Sequence, residues 1–358
     1  MKSLVLQFVF SIVLIPFAAM GYGYIDAIGL GSVMPGTDPI SHSLGGVSSV
    51  DVGGMNLFGN PAELSGINRS VSASTGALIL KQSVEDELGK HALTYAGPGI
   101  TSFQAGFGTG STGFALGLAK IRDYTYKGEY FFLETIPDTT IAGFEDYIVS
   151  GGVWEAAFGA ATVLPGEISV GASAGYRFGD MNYEYYWHHI SASIPDSLSE
   201  WSRQEGEFAW RTGVSVPVGD DTVIGAAYAS KSENCASSIA AGVRFGNMAA
   251  FSPGVGAEAR IYDNPSSTAW TANVFGGIPS GSNLYFRGGV ILSSRGGQDS
   301  DASLGISMGV AVDLGRTDIN AAFNYFNETR TDNVFGFPQA QSISDVVTAV
   351  TIGATIAL

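Results

Sequence analysis

The sequence predicts an all-β fold, a transmembrane antiparallel β-barrel of about fourteen strands. Three observations predict it: extended segments with one bulky apolar face and one small or polar face, an N-terminal export signal, and connections that alternate between short and long. Between Ser303 and Leu314 the even-numbered residues are large and apolar, whereas the odd-numbered ones are small or polar. Strand side chains alternate sides, and a membrane barrel turns its bulky face to lipid and its small face to a lumen.

The composition also favours strands over helices. Gly accounts for 49 of the 358 residues, about twice its usual share. Each Gly weakens a helix interior, whereas tight turns and crowded strands accommodate it. Acidic residues outnumber basic ones 33 to 17, so we expect no nucleic-acid partner. The lone Cys235 excludes an internal disulfide framework.

Residues 1–21 have the pattern of a cleaved signal peptide. Lys2 gives the positive start, Leu4–Ala19 is the apolar core, and Ala19-Met20-Gly21 has small residues where the peptidase cuts. An N-terminal membrane anchor is the alternative. Residues 22–69 hold clusters of Gly and Pro with little alternation. The expected division is therefore a signal peptide at 1–21, a non-barrel segment at 22–69 and a barrel at 70–358.

Strands are predicted from Ser70 onward, each from its own run of alternating side chains. They are Ser70–Leu80, His91–Phe107, Gly113–Lys127, Tyr147–Val163, Glu167–Tyr186, Glu205–Val218, Thr222–Lys231, Ser238–Gly246, Gly254–Tyr262, Thr268–Gly276, Leu284–Ser294, Ala302–Leu314, Thr317–Glu328 and Val346–Leu358. The number is even, as a barrel with both termini on the periplasmic side requires.

The connections alternate in length. The short ones carry turn-forming residues, and the long ones are polar or aromatic. The short connections are Leu164–Gly166, Gly219–Asp221 and Gly315-Arg316, and the long ones are Tyr130–Asp146, Trp187–Gln204 and Thr329–Asp345. Short turns on one rim and long loops on the other are typical of outer-membrane barrels. A soluble sandwich remains the alternative on alternation alone.

Several short motifs have structural rather than chemical explanations. Gly108–Gly113 matches G-x-G-x-x-G, but a strand follows it where a nucleotide site needs a helix. Gly171–Gly175 and Gly305–Gly309 match G-x-S-x-G inside continuous alternation, where a nucleophile elbow needs a strained turn. The pair His188-His189 points to opposite sides of an extended strand. We therefore expect no catalytic residue, no metal and no cofactor.

A helix start precedes the first barrel strand. Asn60 can cap a helix, Pro61 suits its first position, and Glu63 can reach back to the cap amide. A short helix is predicted here.

The segment that contains this helix start resembles a known family. Gly59–Leu64, preceded by Gly45–Val47 and followed by the first strand, resembles the N-terminal hatch of the FadL/TodX-type outer-membrane channels for hydrophobic compounds. Ile121–Gly128 is similar to a segment frequent in that family. The PorV-like barrels of bacterial secretion carry the same hatch signature. The chain departs from many such barrels by ending in Leu358 rather than in an aromatic residue.

The resemblance implies a function and candidate site residues. It implies a barrel plugged by the 22–69 region that passes fatty acids or aromatic hydrocarbons through a lateral gap in its wall. Asn60, Pro61, Ala62 and Glu63 are then the hatch motif. Gly113 and Gly117 are the candidates for the kink that opens the wall. The expected partners are a hydrophobic small-molecule ligand and outer-membrane lipids.

Two other functions stay open on the sequence. A PorV-like secretion-associated or scaffolding barrel would bind protein partners through its long loops. An outer-membrane hydrolase would need a Ser–His pair on the wall, and the sequence offers no such constellation.

Overall fold

The structure is a computed structural model that describes residues 32–33, 37–86, 89–124, 126–136, 139–190, 195–231, 236–248, 251–263, 268–294, 302–332 and 341–358. The predicted signal peptide and Cys235 lie outside the described residues. Among the residues described, no helix has the length and apolar character needed to cross a bilayer.

Sixteen strands and two short helices make up the described chain. The strands are β1 (Ser32–Val33), β2 (Ser70–Asp86), β3 (Gly89–Thr109), β4 (Thr112–Asp123), β5 (Tyr126–Ile136), β6 (Thr139–Val163), β7 (Ser169–His189), β8 (Ser197–Val218), β9 (Thr222–Ala229), β10 (Ser237–Gly246), β11 (Gly254–Asp263), β12 (Thr268–Pro279), β13 (Leu284–Ser294), β14 (Ser303–Asp313), β15 (Thr317–Asp332) and β16 (Gln341–Ala357). The helices are α1 (Pro39–Ser43) and a 3-10 helix (Pro61–Gly66).

Fourteen of these strands close into an antiparallel barrel. Each strand from β6 to β16 pairs with the next, β16 pairs with β2, and β4 pairs with β6. The predicted strand count is therefore confirmed, and each predicted strand overlaps one barrel strand. The two additional strands are β5, which pairs with the first half of β6, and the two-residue β1, which pairs with β4.

The predicted long loops are wrong in their extent. The predicted loop Tyr130–Asp146 is largely a β-hairpin, because β5 pairs with β6 from Tyr126 to Val149. On the next hairpin β7 continues to His189 and β8 begins at Ser197. Aromatic residues are common in strands. These hairpins extend above the membrane-spanning wall, where they do not contact lipid, so their strands can also carry polar side chains. The short turns are where the sequence predicts them.

The alternation sorts side chains between lipid and lumen. Phe208 is 83% exposed on the outer face, while its neighbour Ala209 is 3% exposed. The outer face carries an apolar belt that includes Leu116, Phe158 and Phe286, and such a continuous exposed apolar surface is stable only in hydrocarbon. The inner face buries arginines, glutamates and serines. The structure is thus a transmembrane barrel, and the sandwich alternative is wrong.

Residues 37–69, named the hatch from here on, fill the lumen near the rim with the short turns. One buried cluster joins Leu44, Val47 and Val50 of the hatch to Phe275 and Tyr285 of the wall. A second joins Leu57 and Leu64 to small wall residues, which are Ala115, Ala157 and Ala161. In the second cluster large hatch side chains therefore pack against small wall residues, which agrees with the small inward face of the predicted strands.

Candidate functional site: the lumen and its hatch

The floor of the lumen is built around the predicted helix start. Asn60 is fully buried and caps the 3-10 helix, because its Oδ1 accepts from the backbone N–H of Ala62 at 3.1 Å. Its Nδ2 donates to the carbonyl oxygens of Ser49 at 2.7 Å and Val214 at 3.2 Å. One side chain thus joins two parts of the hatch to β8. A buried side-chain amide that loses its hydrogen-bond partners costs free energy. Asn60 therefore fixes the position of the 3-10 helix against β8.

Close approach explains two wall glycines that face the hatch. A Cβ on Gly213 would overlap Oδ1 of Asn60, and a Cβ on Gly113 would overlap the carbonyl oxygen of Leu64. Gly117 also faces the hatch, next to Leu57. Gly113 and Gly117 lie where β4 is paired on both edges. Their role as a kink stays a prediction, while their contacts with the hatch are direct.

Glu63 contacts the wall rather than the cap amide. Its carboxyl interacts with the hydroxyl of Ser215 on β8, and Asp51 and Arg244 lie near enough to act on its charge. Burial, reinforced by the negative charge of Asp51, raises the pKa of Glu63 to about 8. The expected capping-box contact is absent among the described hydrogen bonds, since the 3-10 turn aims the side chain outward to β8.

A wall carboxylate holds the turn at the centre of the hatch. Oε2 of Glu258 accepts from the backbone N–H groups of Ser48 at 2.8 Å and Ser49 at 2.7 Å, and from the Ser49 hydroxyl at 2.7 Å. Arg260 pairs with the other carboxylate oxygen at 3.0 Å and also donates to the Ser48 hydroxyl. Charge-assisted hydrogen bonds of this kind are the stronger ones in proteins.

Above the hatch lies a cavity of about 100 Å³ with a basic lining. Four arginines from four different wall strands reach it. They are Arg122, Arg177, Arg211 and Arg260. The hatch contributes Asp38, Ser41, Ser48 and Phe58 to the lining. The sequence analysis did not identify this cavity. The sequence did show charged residues on the small, inward faces of the strands. Alternation within one strand, however, does not tell which residues of different strands lie at the same height in the lumen.

Two of these arginines share one buried glutamate. Oε2 of Glu155 lies 3.0 Å from Nε of Arg177 and 2.8 Å from Nη2 of Arg211, and Nη1 of Arg211 binds the other oxygen. The guanidinium of Arg211 also lies 5.7 Å from the ring centroid of Phe58 in the hatch. Glu155 is fully buried. A carboxylate in that position is tolerated only because two cations and their hydrogen bonds compensate its lost hydration.

Aromatic rings line the inward face of the long hairpins above the cavity. From the tip of β7 inward, Trp187 lies 6.4 Å from Tyr185, Tyr185 lies 4.7 Å from Tyr147, and Tyr147 lies 6.4 Å from Tyr183, all between ring centroids. Tyr183 stacks on Trp201 of β8 at 5.2 Å. These five rings are named the aromatic ladder. All five rings have odd residue numbers, as do the inward-facing Glu155 and Arg177. Because side chains alternate sides along a strand, the rings also face the lumen.

A layer of buried groups separates the aromatic ladder from the cavity. Tyr124 is fully buried against Val149, Val153 and Met181. Its hydroxyl donates to Glu205 at 2.9 Å, and Arg203 pairs with the same carboxylate at 3.0 Å. Going inward, the lumen therefore changes from aromatic to charged before it reaches the hatch.

The barrel wall has a seam on one side. β3 pairs with β4 only from Thr109 to Ser102, although β3 continues to Gly89. In the described chain, the second edge of β3 has no strand partner between Gly89 and Thr101, because β5 continues along β6 instead. β1 lies at the corner of the seam and pairs with Arg122 and Asp123 at the end of β4.

Irregular pairing marks both strands at the seam. The register of β3 against β2 shifts between Thr75 and Ala77, where Gly99 and Ile100 of β3 lie opposite Gly76 alone, so that β3 carries one extra residue. The register of β4 against β6 shifts between Lys120 and Arg122. Both bulges lie at the height where the β3–β4 pairing ends, as expected if they bend the strands apart.

The other motifs of the sequence lie in regular structure. Gly108–Gly113 forms the β3–β4 hairpin, and both G-x-S-x-G motifs lie within strands, as predicted. Their serines serve packing: the Ser173 hydroxyl donates to the Leu57 carbonyl at 3.4 Å, and the Ser307 hydroxyl donates to the Gly289 carbonyl at 3.3 Å. Neither serine lies on the strained turn that a nucleophile elbow needs.

Fold and lumen together define a class: fourteen-stranded transmembrane barrels with an N-terminal hatch. Comparison with solved structures gives the same class. The fold is similar to that of a Pseudomonas aeruginosa FadL homologue, with a TM-score of 0.67 and 11% identity over 91% of this chain and 99% of that one. It is similar to the P. putida toluene transporter TodX, with a TM-score of 0.65 and 15% identity over the same shares of both chains.

A third solved structure agrees, the Ralstonia pickettii toluene transporter TbuX, with a TM-score of 0.63 and 14% identity over 91% of this chain and 99% of that one. No family model and no curated protein matches the sequence. The resemblance to FadL/TodX-type channels is therefore confirmed at the level of the fold.

Proposed function

We propose that the protein is an outer-membrane channel for the passive uptake of hydrophobic small molecules. The single observation that carries the proposal is the seam between β3 and β4 beside a lumen that the hatch blocks. A blocked lumen excludes free passage to the opposite rim, so a ligand that enters from above needs a sideways exit. The fold shared with a FadL homologue and with two toluene transporters supports this proposal.

The proposed path has three stages. A ligand meets the aromatic ladder at the long hairpins, where the half-buried ring of Trp187 and the exposed ring of Trp201 bind apolar surface. It then enters the cavity above the hatch and leaves through the seam into the membrane. We propose that Gly113 and Gly117 let the hatch pack tightly against β4 below the seam, where β4 is still paired on both edges. This packing would fix the position of β4 at the lower end of the opening. A seam bordered by lipid suits a ligand that prefers hydrocarbon to water.

The orientation follows from the export signal and the turns. We propose that residues 1–21 are cleaved and that the short turns and the hatch face the periplasm. The long hairpins then face the outside, and outer-membrane lipids surround the apolar belt. In this arrangement the ligand never crosses the polar surface layer of the membrane unaided.

Blocking the seam tests the proposal. A cysteine at Thr101, on β3 at the start of the seam, would be alkylated with a bulky maleimide in detergent, in a chain with Cys235→Ser. The labelled protein would be reconstituted, and the entry of labelled long-chain fatty acid and of labelled toluene into proteoliposomes compared with empty liposomes. We expect alkylation at Thr101→Cys to reduce protein-dependent entry at least severalfold.

Val274→Cys is the matched control, because Val274 is 61% exposed on the outer face of β12, across the barrel from the seam. Its alkylation should leave entry unchanged. Equal entry with both labelled variants would contradict lateral exit. No protein-dependent entry of any hydrophobic compound, together with co-purification of a secreted protein, would favour the PorV-like alternative.

A further inference from the structure

The outer face of the barrel wall carries an apolar groove. The groove has a volume of about 480 Å³ and lies across β4, β6, β7 and β8. Sites that bind small molecules have volumes of about 300–1,000 Å³ and are mostly apolar. The floor lies at Ala156 and Ala174, and the rims are large side chains exposed on the outer face: Leu116, Phe158, Tyr176 and Phe208. The groove is therefore large enough to hold a ligand segment rather than a single methyl group.

The register of two strands creates the groove. Ala156 on β6 pairs with Tyr176 on β7, and Ala174 on β7 pairs with Phe158 on β6. Both alanines are exposed on the outer face, and they are diagonal neighbours on adjacent strands, about 7–8 Å apart. The two aromatic rings occupy the other diagonal, one on each side. The gaps above the two alanines therefore merge into one groove that passes between the rings.

Ring contacts hold the rims in place. Tyr176 contacts Phe208 of β8 in an edge-to-face arrangement at 5.1 Å between ring centroids. On the opposite side, Phe158 stacks on Phe114 of β4 at 6.4 Å. Aromatic pairs in these geometries are stabilising. The groove is therefore formed before any ligand enters, and a preformed site loses less of its binding free energy to ordering.

The groove lies within the apolar belt, nearer to the long hairpins than to the short turns. On β7, the next outward residue beyond Tyr176 is Phe178 and the one after that is Asp180, an exposed carboxylate at the end of the apolar face. In the other direction, Ala156 is separated from the short turn at Leu164 by a longer stretch of β6. The surroundings of the groove are therefore the hydrocarbon chains of one leaflet.

The shape of the groove suits a flexible chain better than a second barrel. The wall of another barrel is convex and would rest on the rims, above all on Phe208, which is 83% exposed. An acyl chain is thin enough to pass between the rims and reach the alanines. Of the side chains that line the groove, only that of Tyr176 carries a polar group. The lining therefore matches methylene groups and not a lipid headgroup.

We propose that this groove binds one acyl chain of a membrane lipid, from the leaflet next to the long hairpins. The site is on the outer face of the wall and does not depend on the uptake of any ligand through the lumen. β4 forms one side of the groove and also borders the seam. The bound chain therefore packs against the strand that limits the lateral opening.

A photoreactive lipid tests the proposal in the unaltered full chain. The protein would be reconstituted into phosphatidylcholine vesicles that contain a small fraction of phosphatidylcholine with a diazirine near the middle of one acyl chain. After illumination, mass spectrometry of peptides locates the attached lipid. We expect the outward residues of 156–158 and 174–176 to carry severalfold more label than Val274, which is exposed on the outer face of β12 and outside the groove.

Matched variants test the floor and the rim. Ala174→Phe fills the groove and should reduce labelling of β6 to the level found on β12, whereas Ala259→Phe, at an exposed outward position on β11, should leave it unchanged. Phe208→Ala removes one rim and should reduce labelling severalfold. Phe286→Ala, which removes an exposed ring of β13, is its control. Heat-dependent mobility in electrophoresis shows that each barrel is folded.

The alternatives give different results. Equal labelling of the groove and of β12 would overturn the proposal. Labelling that falls as the protein-to-lipid ratio rises would identify a second copy as the occupant, and labelling that is abolished by saturating toluene or fatty acid would identify the transported ligand. Either result would also overturn a lipid site. Failure of the uptake assay would remove the proposed function and leave this labelling result unaffected.

Discussion

At the residue scale, the lumen shows how single charges are tolerated inside a membrane protein. Glu155 is fully buried and is compensated by two arginines from two neighbouring strands. Removing the glutamate would leave two guanidinium groups facing each other, and breaking a buried pair of this kind costs about 3–5 kcal/mol. The hatch contains a different case in Glu63, whose burial is only partly offset by the Ser215 hydroxyl and the charge of Arg244.

Glu63 should make the stability of the hatch dependent on pH. Its folded-state pKa of about 8 lies above the ordinary value of 4.5 because burial disfavours the charged form. Below pH 4.5 the Glu63 carboxyl is protonated in both the folded and the unfolded state, so its burial does not lower the stability of the hatch there. As the pH rises from the ordinary value to about 8, only the unfolded state releases its proton, and the stability of the hatch falls.

Glu63→Gln should remove this decline. The variant is expected to exceed the parent in thermal stability by a few degrees at pH 8 and to match it near pH 4, in melting curves recorded in detergent. Glu200→Gln, which alters an exposed carboxylate on β8, should leave the pH profile as it is. A parent profile that is flat between pH 4 and pH 8 would contradict the raised pKa.

At the scale of elements, the hatch is held by wall side chains more than by its own secondary structure. Its two helices have five and six residues, too short to be stable alone. Glu258 fixes the Ser48-Ser49 turn, and Asn60 fixes the 3-10 helix to β8. The hatch is therefore seated by buried polar contacts at a few defined positions on the wall.

Glu258→Gln should loosen the hatch turn selectively. The neutral amide accepts more weakly from Ser48 and Ser49 and leaves Arg260 without its counter-charge, which corresponds to about 2–3 kcal/mol. Hydrogen exchange at the Ser48 and Ser49 amides should accelerate by roughly 30- to 150-fold. Asp263→Asn, at the exposed end of the same strand, is the control. Unchanged exchange would show that the turn is held by other contacts.

At the scale of the whole molecule, the barrel and the hatch have separate tasks. In the described chain, backbone pairing closes a ring of fourteen strands, as a bilayer requires, while β3 from Gly89 to Thr101 and β8 from Ser197 to Trp210 each keep one edge without a strand partner. The hatch supplies the large apolar side chains that fill the lumen beside small wall residues. A barrel of this size without the hatch would enclose a continuous aqueous space.

Deleting residues 22–69 should convert the protein into an open pore. In planar bilayers we expect the full chain to show no ion conductance and the deletion variant to show discrete open-channel steps. Protein-dependent entry of fatty acid through the seam should lose its selectivity against small polar solutes at the same time. Conductance by the full chain would contradict a lumen closed by the hatch.

Alternation made most of this fold predictable. The faces of Ser303–Leu314 follow from side-chain direction in a single strand, and each strand could be found without knowing its neighbours. The extent of the long hairpins was missed because β5 resembles a loop in composition and becomes a strand only by pairing with β6. The resemblance implied a lateral gap in the wall, but the residues did not predict the place of the seam, since it depends on where β3 parts from β4.

The sequence by itself determined a membrane barrel of fourteen strands with a capped segment before it, because strand periodicity and helix capping are local properties of the chain. Only the tertiary structure decided which residues meet in the lumen. Arg122, Arg177, Arg211 and Arg260 come from strands far apart in sequence, and register alone brings their side chains to one height. Register depends on the whole closed ring of pairings, so no segment of the sequence contains it.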